Sequence, residues 1–345
     1  MVAMVQPKTR NQTFECMKLL ASMFVVFIHF KFPGRLGELM TCLARFAVPL
    51  FFSISGYYSY RTKSSCLMRR ILHLLMLNGF GILIYFAWNA FSMLYLGTDV
   101  PETTWLRTYH ISLWLTMGVD PYWGYLWFLP SLALAYGILW GYTRLYEDHP
   151  SDFRPIYTAG FILMILLLTY AEFYPANNSA VHYFTYRNGF FFALPFLALG
   201  MFLRERQEQI VRAFGLTPKK LVWMILGTMA ISVVEWHGIG ACEIYLGTML
   251  AVPALVLLAA IHPTITNRPV AARMLSVLGP VSAGVYLLHM AVIKAYIPFV
   301  RWRIVRIVGN LEPYCSPIVV ALLSILASAF CVWCWALIRS VLKRK

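Results

Sequence analysis

Lys18 and His29 stand eleven positions apart in the segment CMKLLASMFVVFIHFKF. On an α-helix that is about 16 Å of rise and about 20° from three full turns, so both side chains fall on one face. A fixed cation then marks one mouth of a groove and an imidazole lies deep within it. The spacing suits an elongated anionic ligand that anchors its phosphates at the cation and offers its reactive end to a neutral imidazole serving as a base. A lysine that snorkels and a histidine bonded to a neighbouring helix fit the same spacing, which by itself leaves both readings open.

The elements that must position this pair are legible in the composition. Of 345 residues, 60% are hydrophobic and only 12% charged, with a mean hydropathy of +0.67. A soluble domain carries about 25% charged residues, so an ordinary soluble globule is excluded. Apolar blocks near 13–31, 39–60, 71–96, 122–143, 156–174, 187–203, 221–236, 241–261, 277–297 and 316–338 each approach the length that crosses a bilayer. The expectation is an all-α polytopic membrane protein, one integral-membrane domain over 1–345 built as a bundle of about ten transmembrane helices.

A cytoplasmic N-terminus makes ten crossings return the C-terminus to the cytoplasm. Most of the 29 Lys and Arg residues then fall in inner segments, among them Lys18, Arg69, Arg70, Arg144, Arg154, Arg204, Arg206, Arg268, Arg273 and Arg339, as the positive-inside rule requires. Arg301, Arg303 and Arg306 in PFVRWRIVRIVGNLEP depart from it and predict an amphipathic helix in the outer headgroup layer. The stretch 98–121 is too broken by charge and Pro to span and predicts the largest outer loop. Internal repeats of the kind common in carriers are missing from the sequence.

The formal charge of +15 lies between apolar blocks rather than on one basic face, so no nucleic acid partner is expected. Seven scattered cysteines outline no disulfide framework and read as small apolar packers. Cys331 and Cys334 form a CxxC inside AFCVWCWAL, with no second Cys or His pair nearby, so no metal is expected. The basic N-terminal segment precedes no small-residue cleavage site, and the first helix is expected to be retained. The sequons at Asn11 and Asn177 are assigned no role, and Tyr57, Tyr58, Tyr122, Trp123 and Trp127 near helix ends read as belt anchors.

Further strings carry a resemblance. Glu15, Lys18 and His29 match an acidic residue, a basic one three positions on, and a His after ten more. FFSISGYY (51–58) is similar to an FFxxSGY segment, and the run after Cys66 to an RxxR in which Arg70 matches the first Arg and His73 stands in place of the second. LWFLPSLALAY (126–136), the RNGFFFALPFLALG helix (187–200) and SAGVYLLHMAV (282–292) follow in order. Nearly the whole chain in this way resembles the acyltransferase family 3 membrane proteins.

The resemblance implies an O-acyltransferase that takes an acyl group, acetyl being the expected one, from cytoplasmic acyl-CoA to a hydroxyl of a carbohydrate, lipid-linked sugar or other cell-envelope acceptor. It implies a bacterial inner membrane, and a chain closing at Lys345 after its last span implies the form without a fused soluble domain. An acceptor hydroxyl needs a base to attack a thioester, and His29 is the residue chosen by both geometry and resemblance. Glu235, in VVEWHG, is the candidate partner for the second ring nitrogen, with an interfacial carboxylate as the other reading. Lys18, Arg69, Arg70 and His73 are candidates for the anionic end of CoA, although the positive-inside rule alone predicts basic residues there. Arg187 and His289 are candidates for the acceptor, with snorkelling and a helix-to-helix hydrogen bond as their ordinary roles. The competing function is a carrier that moves a polar or anionic solute past His29 and Arg187. A membrane scaffold offers no reason for Lys18 and His29 to share a face.

Overall fold

A computed structural model of the chain describes residues 10–97, 125–146, 152–173 and 185–342. The expected belt residues Tyr122 and Trp123, the sequon at Asn177 and the expected outer loop at 98–121 lie outside them. Among the described residues the secondary structure is helical and holds no strand.

α1 (Gln12–His29) begins where the Asn11 side chain accepts the Phe14 amide at 3.0 Å, satisfying one of the donors that a helix start leaves bare. The same side chain donates to Ala259 O at 2.7 Å, and Gln12 accepts the amides of Ile265 and Thr266. The α1 start is thereby stitched to a distant loop. The expected block 39–60 is two helices, α2 (Gly34–Ala44) and α3 (Ala47–Tyr57), because the chain breaks at Arg45 and Phe46. α4 (Ser64–Leu96) closes on Gly97 in the left-handed region that glycine tolerates. α5 (Phe128–Leu145) and α6 (Arg154–Phe173) follow.

The sixth block opens with a π-turn, Gly189–Ala193, held by Asn188, whose side chain accepts the amides of Phe190 at 2.9 Å and Phe191 at 2.7 Å. It runs on as α7 (Leu194–Ala213). α8 (Pro218–Ile239), α9 (Leu246–Ile261) and α10 (Pro269–Phe299) precede a short α11 (Arg301–Val308) and the final α12 (Glu312–Leu342). α11, the segment expected as an amphipathic helix, has no buried residue, and Arg301 ties it to Glu312 of α12 through bonds of 3.0 and 3.3 Å.

The main packings join α1 to α10, α3 to α7, α4 to α5, α8 to α9 and α10 to α12. At the α3–α7 crossing the backbones touch. A Cβ on Gly56 would stand 1.9 Å from Leu197 O, and one on Gly200 the same distance from Ser53 O. Only glycine permits that approach.

Among the described residues, six stretches, 34–57, 64–96, 154–171, 218–239, 269–299 and 301–340, are long and apolar enough to cross a bilayer. They turn large apolar side chains outward, including Leu83, Phe161, Trp223, Val234 and Leu326. A surface of that kind is untenable in water and natural in lipid. The protein is an integral membrane protein.

Candidate functional site

Two polar regions occupy opposite ends of the bundle, joined by α1. At the end where α1 starts, Lys18 Nζ donates to Glu15 Oε1 at 2.7 Å, and Glu15 is buried against Gly279 of α10. Phe14 packs edge-on against the rings of Tyr57 and Tyr58. Tyr57 accepts from Arg204 Nη1 at 3.0 Å and donates to Gln207 at 2.8 Å. Arg70 donates to Ser59 Oγ at 2.7 Å and Tyr58 O at 3.1 Å, so it pins the turn between α3 and α4. Arg69 is exposed and, among the described residues, donates to its neighbour Cys66 Sγ at 3.2 Å. His73 is exposed on α4 and makes no hydrogen bond among the described residues.

The structure therefore brings Lys18 and Arg70 into one polar rim and adds Tyr57, read from the sequence as a belt anchor, Arg204, read there only as an inner-segment cation, and Gln207, which the sequence reading did not single out. The rim is cationic on balance, because Glu15 offsets one lysine while Arg70 and Arg204 have neutral partners. Arg69 borders it, and His73 does not join it.

At the other end, His29 closes α1 half-buried, and neither ring nitrogen holds a hydrogen bond among the described residues. Its ring centroid lies 5.1 Å from that of His289 on α10 and 5.4 Å from Tyr125, which meets it edge-on. Arg187, Arg45 and Lys31 act on it electrostatically. Arg45 sits at the break between α2 and α3 and donates to Glu243 Oε2 at 2.6 Å, while Arg187 reaches Glu243 Oε1 at 3.5 Å. Glu243 thus bridges two guanidiniums beside the imidazole. Arg45 and Glu243 were missed by the sequence reading, yet Arg45 is the one charged residue in the block 39–60, and a charge within an apolar block is itself a functional signal.

Glu235 is a correction. Both its carboxylate oxygens are engaged by the first amides of α9, Leu246 at 2.8 Å and Gly247 at 2.9 Å, so it caps that helix rather than partnering His29. His289 needs a correction too. It is wholly buried, with no surface to offer an acceptor, and its Nδ1 bonds within its own helix to Tyr286 O at 2.7 Å. Arg187 is partly exposed beside Glu243 and keeps a place at the site.

The arrangement can do base chemistry. A half-buried imidazole with open nitrogens can accept a proton from a hydroxyl, and the arginines around it favour anionic character in whatever forms there. Among the described residues no group of three His, Cys, Asp or Glu side chains could hold a metal ion.

A family model described as an acyltransferase domain, the third such family, matches residues 11–338. The chain belongs to this acyltransferase family. Comparisons with curated proteins and with solved structures found no match. The matched stretch covers every helix from α1 into α12, so both polar ends of this membrane acyltransferase fall inside the family region. Several strings that resembled the family at the sequence level have identifiable physical duties. Gly56 of FFSISGYY and Gly200 of RNGFFFALPFLALG make the α3–α7 contact, and Asn188 caps the π-turn that follows Arg187.

Proposed function

We propose that this acyltransferase moves an acyl group, acetyl first among the candidates, from acyl-CoA to a hydroxyl of a carbohydrate or other cell-envelope acceptor, with His29 as general base. The observation that carries the reading is His29 itself: an imidazole with neither nitrogen hydrogen-bonded among the described residues, at the far end of the helix that bears Lys18. Family membership makes acyl transfer the chemistry for that imidazole to serve.

The step balances as follows. His29 takes the proton of the acceptor hydroxyl as its oxygen bonds the thioester carbonyl carbon. The tetrahedral oxyanion collapses, the C–S bond breaks, and the thiolate of CoA leaves with the proton returned by the imidazolium. Arg45 and Arg187 favour the anionic intermediate. At the opposite rim, Lys18, Arg69, Arg70 and Arg204 supply cations for the phosphates of the donor. Basic residues at the ends of alternate helices support ten crossings with both termini in the cytoplasm of a bacterial inner membrane, which puts the donor rim on the cytoplasmic side.

Acetyl-CoA turnover by detergent-purified protein, read as free CoA with and without a mixed glycan extract, tests the reading. The wild type is expected to release CoA with no gradient present. His29→Ala is expected to bind acetyl-CoA and lose at least about 100-fold in turnover. Turnover that survives in His29→Ala removes the base from this residue. Donor binding and turnover missing from the wild type remove the acyl-CoA reading and leave a gradient-dependent carrier.

A further inference from the structure

The buried histidine beside His29 has an unused nitrogen. His289 Nδ1 lies 2.7 Å from the carbonyl oxygen of Tyr286, and a carbonyl oxygen only accepts. Nδ1 therefore carries the proton and Nε2 is a bare acceptor. That Nε2 is sealed from solvent and has no hydrogen-bond partner among the described residues, a condition that a native interior rarely leaves without a use. The imidazole of His29 lies beside it, with ring centroids 5.1 Å apart and planes inclined by 39°. Neither His29 nitrogen bonds Nε2 in the orientation the structure shows; a ring nitrogen stands about 1.1 Å from its centroid, so a turn of the half-buried His29 ring that points one nitrogen at Nε2 brings the two to about 2.9 Å, within hydrogen-bond range.

The surroundings bring the two rings side by side. Tyr286, whose carbonyl fixes the His289 tautomer, donates its own hydroxyl to Tyr125 O at 2.9 Å and accepts the Phe128 amide at 3.2 Å. Tyr125 in turn packs its ring edge-on against His29 at 5.4 Å. One short segment at the start of α5 thus braces both histidines.

We propose that His289 is a positioning residue for His29: its Nε2 accepts the N–H of the His29 ring, fixing the tautomer whose opposite nitrogen is a bare lone pair. The same bond steadies the imidazolium once that nitrogen has taken the proton of the acceptor hydroxyl. No proton passes to His289. The inference rests on the reading of His29 as the base, and it fills the place that Glu235 leaves empty.

Two substitutions in the full-length protein separate this role from a structural one. His289→Asn puts an amide nitrogen where Nδ1 stands, keeping the bond to Tyr286 O and removing the Nε2 acceptor. His289→Gln carries an amide oxygen out to the Nε2 position. In acetyl-CoA turnover, His289→Gln is expected within about threefold of wild-type kcat and His289→Asn at least about 30-fold down, with KM for acetyl-CoA unchanged in both, because the base is misoriented while donor binding is untouched. Equal loss in the two variants, or a His289→Asn protein as active as wild type, overturns the proposal.

Nitrogen NMR of histidine-labelled protein reads the bond without turnover and decides the matter where a variant does not fold. The wild-type His289 Nε2 resonance is expected to be that of a hydrogen-bonded acceptor and to move to the free-acceptor position in His29→Ala. An Nε2 resonance unchanged between the two proteins sinks the dyad. Turnover retained in His29→Ala sinks the base assignment instead, so the two failures read differently.

Discussion

At the level of single residues, the carboxylates of this protein divide by what already occupies their oxygens. Glu243 bridges Arg45 and Arg187 beside His29, Glu15 holds Lys18, and Glu312 holds Arg301. Glu235 is spent on backbone amides. A cap of that kind contributes about 1–2 kcal/mol to stability and nothing to proton transfer. Glu235→Ala is therefore expected to lower thermal stability in detergent by that amount and to leave acetyl-CoA turnover per folded molecule within about twofold of wild type, a margin below the smallest factor typical of general acid–base groups. A loss of turnover comparable with that of His29→Ala would restore Glu235 to the chemistry.

At the level of elements, helix contact in a bilayer gains little from the hydrophobic effect, since lipid tails are as apolar as leucine, and depends on how closely backbones approach. The α3–α7 crossing shows the consequence. A methyl group at Gly200 would stand 1.9 Å from Ser53 O, a backbone atom that cannot swing aside. Gly200→Ala is expected to cost at least about 1–3 kcal/mol and to reduce the yield of monodisperse protein. A methyl group on Gly137 of α5 would meet open space among the described residues, so Gly137→Ala should instead match wild type or gain up to about 1 kcal/mol from helix propensity. Size-exclusion profiles and melting curves of the pair give the comparison, and equal behaviour would show that the crossing tolerates separation. The crossing also positions chemistry, because α3 begins just beyond Arg45 and α7 continues the π-turn that starts just after Arg187.

At the level of the whole molecule, the alternating helices sort polar groups to two ends, with Lys18, Arg70 and Arg204 at one and His29, Arg45 and Arg187 at the other. The Lys18–His29 spacing separates these ends by about 16 Å of helix, so a ligand that serves both must extend along α1. The proposed ten crossings carry a definite expectation. A green fluorescent protein fused after Lys345 should fluoresce, since that reporter matures in the cytoplasm, and alkaline phosphatase inserted at Gly309 should be active outside. A dark C-terminal fusion in a well-expressed protein would mean an odd number of crossings and would move the donor rim away from the cytoplasmic pool of acyl-CoA.

Period and composition by themselves determined the helical membrane class, because apolar blocks of spanning length are a one-dimensional property, and they set Lys18 and His29 on one face, because α-helix geometry is local. The family was carried instead by the ordered strings from Glu15 to His289, and its model spans residues 11–338. Only tertiary structure decided which distant groups meet. His289 lies 260 residues from His29, and no local period relates them, so their contact depends on α1 packing on α10. The bridge from Arg45 to Glu243 spans 198 residues. Glu235 was misread for the same reason: a carboxylate near a helix end looks free until the next helix starts beneath it and its bare amides claim both oxygens.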